Sequence, residues 1–155
     1  MSKVIVITGA SAGIGQELAL KLAARGDYLM LGARNHQALH QVSRACGRDT
    51  FSYTTDVSRR QDVNRLRDEA IRTFDHVDVW INNAGRGISR PVMELTDADV
   101  DDMMAVNFKS ALYGMQAILP HYMERGSGHI INVSSGLGRL PFSTMRSAYS
   151  AAKAA

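Results

Sequence analysis

The chain alternates between short, continuously apolar runs and longer stretches in which apolar residues recur every three or four positions. Val4-Ile5-Val6-Ile7 and Tyr28-Leu29-Met30-Leu31-Gly32 are of the first kind, the pattern of strands buried on both faces. Ile14, Leu18 and Leu22 are of the second kind, as are Val63, Leu66, Ala70 and Phe74, and this spacing lines one face of a helix. The pattern predicts strands over Lys3–Ile7, Tyr28–Gly32, Thr50–Thr54, Val77–Ile81 and His129–Val133. Between them it predicts helices over Gly13–Arg25 and Gln37–Cys46, one after Ser58, and a long one from Thr96 through Leu119. A last helix begins at Ser147 and runs to the end of the sequence. Gly26 and Gly47 stand where helix C-caps belong. Ser58 with Gln61, and Thr96 with Asp99, have capping-box spacing. Pro120 is expected to bend or end the long helix, and Trp80 to pack in the core.

Strand and helix alternate throughout, with no hairpin signal. This implies right-handed βαβ units in a single α/β domain: a doubly wound, Rossmann-type parallel sheet with helices on both faces. Such sheets bind ligands outside the carboxyl ends of their strands. Those ends carry the glycine turn Thr8–Gly15 (TGASAGIG), then Ala33-Arg34, Asp56-Val57, Asn82-Asn83-Ala84-Gly85 and Ser134-Ser135. Gly9 allows a tight exit from the first strand through positive φ. Gly13 and Gly15 are expected to let phosphates approach the backbone, at a helix start whose free N–H groups favour anions.

Composition narrows the possibilities. Apolar residues make up 45% of the 155 and the net charge is only +3, with both signs mixed along the chain, so a nucleic-acid-binding face is not expected. Cys46 is the only cysteine, which points to a reducing compartment and a cytoplasmic location. No apolar run is long enough to span a membrane, and Met1-Ser2-Lys3 leads directly into the first strand, leaving no room for a signal peptide. His36 and His40 are four apart but lack a third ligand, so no metal site is expected. Arg34 matters more. A ribose 2′-hydroxyl is usually held by an acid near this position, and a 2′-phosphate by an arginine; here no acid follows until Asp49. The forked guanidinium of Arg34 favours NADP(H).

Tyr149 and Lys153 are four apart on the last helix and therefore share a face. They follow a serine-bearing loop at the end of a strand. A nearby ammonium favours the phenolate of a tyrosine, which can then exchange a proton with an alcohol or a developing alkoxide. A serine hydroxyl can hold the carbonyl oxygen. The hydride must come from a cofactor, because no side chain carries one.

Together Thr8-Gly9-x-x-x-Gly13-x-Gly15, Asp56-Val57, Asn82-Asn83-Ala84-Gly85, Asn107, Asn132-Val133-Ser134-Ser135 and Tyr149-x-x-x-Lys153 resemble a short-chain dehydrogenase/reductase of the simple, single-domain branch. The resemblance covers nearly the whole chain. It implies Tyr149 as the catalytic acid–base and Lys153 as its activator and ribose ligand. Ser135 would orient the substrate carbonyl, and Asn107 would hold a water that links Lys153 to solvent. Cofactor contacts would come from Gly9, Ser11, Gly13, Ile14, Gly15, Arg34, Asp56, Val57, Asn83, Ala84 and Gly85, besides Tyr149 and Lys153; Asp56 and Val57 would meet the adenine. Asn82 would brace the sheet. NAD(H) stays open beside NADP(H), because Ala12 stands where NADP-preferring members often carry a basic residue. Ser134 also stays open, because the loop to Tyr149 holds one extra residue.

Family members continue well past Tyr-x-x-x-Lys, whereas the sequence ends two residues after Lys153. The expectation is therefore the N-terminal portion of a longer domain, unstable and inactive by itself, whose whole form is a homodimer or homotetramer. The expected substrate is a small carbonyl compound or alcohol. The other function weighed is a dinucleotide-binding regulatory or scaffold protein without turnover.

Overall fold

The computed structural model describes residues 2–140 and 144–155. Five strands alternate with helices: β1 (Val4–Thr8), α1 (Gly13–Ala24), β2 (Tyr28–Ala33), α2 (His36–Cys46), β3 (Thr50–Thr54), α3 (Arg60–Phe74), β4 (Val79–Asn82), α4 (Asp97–Met104), α5 (Ser110–Arg125), β5 (His129–Asn132) and α6 (Ser147–Ala154). All strand pairs are parallel, in the order β3-β2-β1-β4-β5, with Val6 set between Met30 and Trp80. The order reverses at β1, which places the crevice between β1 and β4 at the carboxyl edge of the sheet.

Alternate residues of each strand project to opposite faces, and each face has its own helices. Val4, Val6, Met30 and Trp80 pack with Val63, Leu66 and Ala70 of α3 and with Ala117, Ile118 and Tyr122 of α5. Ile5, Ile7, Leu29, Leu31 and Ile81 pack with Ala19 of α1 and with Leu39 and Val42 of α2. Trp80 is fully buried, as expected, and its indole N–H is satisfied by Asn82 Oδ1 at 2.8 Å. The chain thus forms the doubly wound α/β fold that its alternation implied.

Several local features depart from the sequence pattern, each for a physical reason. The Ser58–Gln61 capping box does not form: α3 begins at Arg60, after an N-cap Arg59 with no side-chain bond. Ser58 instead donates its amide and hydroxyl to Asp56 Oδ1, at 3.0 and 2.7 Å. A carboxylate is the stronger acceptor and captures the serine. The Thr96–Asp99 box does form and opens α4. An unforeseen cap, Asn35 Oδ1 accepting from the Ala38 amide at 3.1 Å, opens α2.

Strand β4 starts at Val79 rather than Val77, because the Val77 amide donates to His121 Nε2 at 3.3 Å instead of joining the ladder. The long helix divides at a π-helical turn, Ala105–Lys109. Pro120 does not end α5, which runs on to Arg125. Buried Ile118 and Tyr122 on either side hold that stretch against the sheet.

The His121 contact ties stability to pH. The imidazole accepts a hydrogen bond and must be neutral to do so. Burial, and then the Arg125 guanidinium, hold its pKa below the ordinary histidine value; Glu124 opposes them. A depressed histidine pKa means that the folded state binds fewer protons than the unfolded one. This stabilisation is present above the unfolded pKa, about 6.5, and is lost as pH falls through the folded value. Urea midpoints should therefore drop between neutral pH and about pH 5, and His121→Gln should flatten that part of the profile. An unchanged slope in the variant would refute the linkage.

Candidate active site

The site starts from a clasp between the ends of β1 and β4. The Thr8 hydroxyl donates to the Ile81 carbonyl at 3.3 Å and accepts from the amides of Asn83 and Ala84, each at 3.1 Å. The Asn83 side-chain amide donates back to the carbonyls of Thr8, at 2.9 Å, and Gly9, at 3.3 Å. Asn83 thus spends its side chain on holding the glycine turn. Asn82 points the other way. It accepts from Trp80 and donates to Asn132 Oδ1 at 2.8 Å and to the Ala111 carbonyl at 3.3 Å, so it braces β4 against β5 and α5.

The three glycines of the turn serve different ends. Gly9 has φ +68°, and a Cβ there would lie 2.7 Å from Ala84 Cα. Gly13 has φ +56° and faces open space. A Cβ on Gly15 would collide with the Gly9 carbonyl and lie 2.6 Å from Asn83 Nδ2. Gly13 thus leaves the approach to the helix clear, whereas Gly15 lets α1 pack against its own turn. The α1 N-terminus has no side-chain cap and no acid in its first turn, so its N–H groups are available to an anion.

Two adjoining cavities run along this edge. One of about 300 Å³ is lined by Gly9, Ser11, Ala12, Ala33, Arg34, Thr55, Val57 and Ala84. The other, of about 460 Å³, is lined by Ile14, Asn83, Ser134, Ser135, Arg146, Tyr149 and Lys153. Gly85 and Arg86 line both, so the cavities form one groove. Asp56 is not among the lining residues; its carboxylate is engaged by Ser58 and lies 3.8 Å from Arg59. Burial alone would raise the Asp56 pKa, but the Ser58 bonds and the Arg34 and Arg59 guanidiniums hold it below the carboxylate range. Arg34 is exposed at the groove's end and makes no ion pair closer than 4.0 Å among the described residues.

At the other end, Lys153 Nζ donates to the Val133 carbonyl at 3.0 Å. Asn107 lies in the π turn and clamps the loop after β4. Its Oδ1 accepts from the Arg86 amide at 3.1 Å, and its Nδ2 donates to the carbonyls of Arg86, at 2.9 Å, and Met103, at 3.1 Å. A Cβ on Gly85 would lie 3.0 Å from Asn107 Oδ1 and 3.4 Å from Lys153 Nζ, so the two groups face one another across the glycine. Ser135 caps a single 3₁₀ turn, its hydroxyl accepting from the Leu137 amide at 3.3 Å. Ser134 donates to the Lys153 carbonyl at 3.5 Å. Both serines, with Tyr149, line the groove.

Sequence reasoning did not foresee the Thr8–Asn83 clasp or the position of Arg146 in the groove. For Arg146 a signal existed, its spacing of three from Tyr149 beside the same helix. His36 and His40 stack on each other at 6.2 Å, and no cluster of three metal-binding side chains occurs among the described residues. No helix is long and apolar enough to cross a membrane.

The chain belongs to the short chain dehydrogenase family, whose model matches residues 3–155. It is 35% identical over 153 residues to an uncharacterised oxidoreductase of Staphylococcus epidermidis, covering 99% of this chain and 66% of that protein. It is 39% identical over 158 residues to a fatty acyl-CoA reductase of Acinetobacter baylyi, covering 99% of this chain and 53% of the relative. The chain thus spans between half and two thirds of the length of these relatives. Among solved structures, a short-chain dehydrogenase/reductase of Burkholderia phymatum in complex with NAD superposes with a TM-score of 0.94 at 32% identity, over 99% of this chain and 56% of that one. A variant actinorhodin polyketide ketoreductase with NADPH gives 0.92 at 30% identity, over 99% and 60%. Both of these neighbours carry a nicotinamide dinucleotide.

The packing of Gly15 is directly testable. Gly15→Ala puts a methyl group against backbone that cannot move without breaking the clasp. It should cost about 1–3 kcal/mol of stability in urea unfolding, whereas Gly136→Ala, at a position with open space, should cost far less. Equal effects would show that the turn yields.

Proposed function

We propose that the protein is an NADP(H)-dependent oxidoreductase that interconverts a ketone or aldehyde with an alcohol, with Tyr149 as acid–base. The observation that carries this reading is the gathering of Ser135, Tyr149 and Lys153 at one end of a groove. The other end offers an uncapped helix N-terminus and Arg34. Those are groups that fit a dinucleotide's pyrophosphate and a ribose 2′-phosphate. The bound dinucleotide supplies or accepts the hydride.

The chain's own residues do the rest. Ser135 donates its hydroxyl to the substrate oxygen and fixes its position; Ser134, on the Lys153 carbonyl, holds the end of α6 near the loop. Tyr149 transfers a proton to that oxygen as negative charge develops on it, or removes one from an alcohol in the reverse direction. Lys153 uses one N–H on the Val133 carbonyl and keeps two more, one for the ribose and one for the tyrosine side. Asn107 Oδ1 faces this ammonium and is suited to hold a water that returns the proton to solvent. Arg34 accounts for the preference for NADP(H) over NAD(H). The intact Ser135, Tyr149 and Lys153 set favours turnover over a purely regulatory binder, which needs no proton donor at this end.

Tyr149→Phe should lower kcat by about 10²–10⁴ while leaving NADPH affinity, read by fluorescence titration, nearly intact. Retained turnover in that variant would remove Tyr149 from the chemistry. Arg34→Ala should weaken NADPH by roughly ten- to a hundredfold, the loss of one charge-assisted pair, and leave NADH unaffected. Equal losses would overturn the cofactor preference.

A further inference from the structure

The catalytic end of the groove is cationic. Arg86, Arg146 and Lys153 line it, and no carboxylate does. Two of these cations are already engaged. Arg86 lies 2.8 Å from Asp102 Oδ2, a Coulombic contact in which that oxygen forms no hydrogen bond, and Lys153 is held on the Val133 carbonyl. Arg90, in the same loop, is paired with Asp99. Arg146 makes no ion pair and no side-chain hydrogen bond among the described residues. It is only half-buried, so the charge costs little to keep, yet it faces the groove.

Gly87 gives Arg146 its place. A Cβ on Gly87 would lie 2.5 Å from Arg146 Nη1 and 3.8 Å from both Arg146 Cζ and Tyr149 Cδ2. The guanidinium therefore lies over the bare backbone of Gly87, a position that the edge of the Tyr149 ring also approaches. Any side chain at position 87 would displace it. A planar, permanently charged fork held beside the proton-donating tyrosine suits a planar anion. The phosphates of a dinucleotide have their own partners further along, at the α1 N-terminus and Arg34.

We propose that Arg146 is a specificity-determining residue that receives a carboxylate carried by the substrate close to its carbonyl, so that the preferred substrate class is the short oxo acid or hydroxy acid. This rests on the oxidoreductase reading above. Arg146 is the N-cap residue of α6 and Tyr149 lies in its first turn, and atoms of both lie within 4 Å of the point a Cβ on Gly87 would occupy. That spacing matches a carboxylate separated from the reacting carbon by one or two bonds, as in 2-oxo and 3-oxo acids, better than one at the end of a long chain.

The test pairs a 3-oxo carboxylate with its methyl ester, in the protein and in Arg146→Gln and Arg146→Lys variants. With NADPH in excess, the unsubstituted protein should favour the acid over the ester by at least about tenfold in kcat/KM, the worth of a charge-assisted pair. Arg146→Gln should erase that preference through KM and leave the ester's constants unchanged, and Arg146→Lys should restore part of it. Calorimetric titration of the oxo acid into the NADPH complex of Tyr149→Phe reads the same site without turnover. Binding of the acid there, lost in the Tyr149→Phe, Arg146→Gln double variant, supports the anion site even if no substrate is turned over. In that case only the oxidoreductase reading fails. Equal losses for acid and ester, or a weakened NADPH affinity in Arg146→Gln with no change in acid preference, would overturn the assignment; the second would make Arg146 a cofactor ligand.

Discussion

The carboxyl edge of the sheet is organised by the clasp between Thr8 and Asn83. These residues lie 75 apart in sequence, and five hydrogen bonds from their side chains join the end of β1 to the end of β4. The clasp leaves no room for side chains. It brings Gly9 against the Ala84 backbone and Gly15 against the Asn83 amide, which is why the turn needs glycine at both positions. It also satisfies backbone groups that the turn would otherwise bury unpaired. Consecutive strand residues point to opposite faces, so Asn83 secures the turn while Asn82 secures β5 and α5. Two adjacent amides thereby connect the glycine-turn end of the groove to the strand that leads into the serines.

The second constraint is the π turn. Its wider winding changes the helical phase after Met104 and leaves Asn107 within reach of the Arg86 amide and carbonyl as well as the Met103 carbonyl. Such turns often occur at functional positions because they redirect one side chain without ending the helix. Here the side chain fixes the loop after β4, and that loop places Gly85 between Asn107 and Lys153 and Gly87 beneath Arg146. The energetic cost of irregular winding is offset by three hydrogen bonds from a buried amide, which would be costly if unmade.

The sequence revealed what depends on local pattern. Sequence pattern located all five strands, and β3 has the expected limits, Thr50–Thr54; helix spacing located the packing face of α3, but of the three spaced positions in α1 only Leu18 and Leu22 pack, while Ile14 is exposed and lines the groove. It also pointed to the groove, because strand ends in a parallel sheet converge whatever their exact register. What it missed depends on competition between distant or neighbouring acceptors. Ser58 has the spacing of a cap, but Asp56 captures it. Val77 has the composition of a strand, but His121, 44 residues on, takes its amide. Asp56 sits at a strand end, yet its carboxylate turns into its own loop, so Val57 and Thr55 line the cavity instead. The π turn has no apolar signature, since its residues continue the helical spacing on either side.

Charge pairing sorts the arginines around the groove by task. Arg59, Arg86 and Arg90 each have a carboxylate partner, and each thereby fixes a loop or a helix start. Arg34 and Arg146 have none among the described residues and occupy opposite ends of the same groove. An exposed guanidinium such as Arg34, or a half-buried one such as Arg146, keeps most of its hydration, so leaving it unpaired costs little in the free protein. Binding a long ligand in the groove removes that water and makes each charge far more effective against an anion. The internal pairs therefore hold the frame at constant strength, whereas the two unpaired arginines gain most of their influence when the groove is filled. On the proposed function, selectivity for cofactor and substrate resides in arginines that the frame does not use for its own pairing, while the clasp and the glycines hold the groove in which they stand.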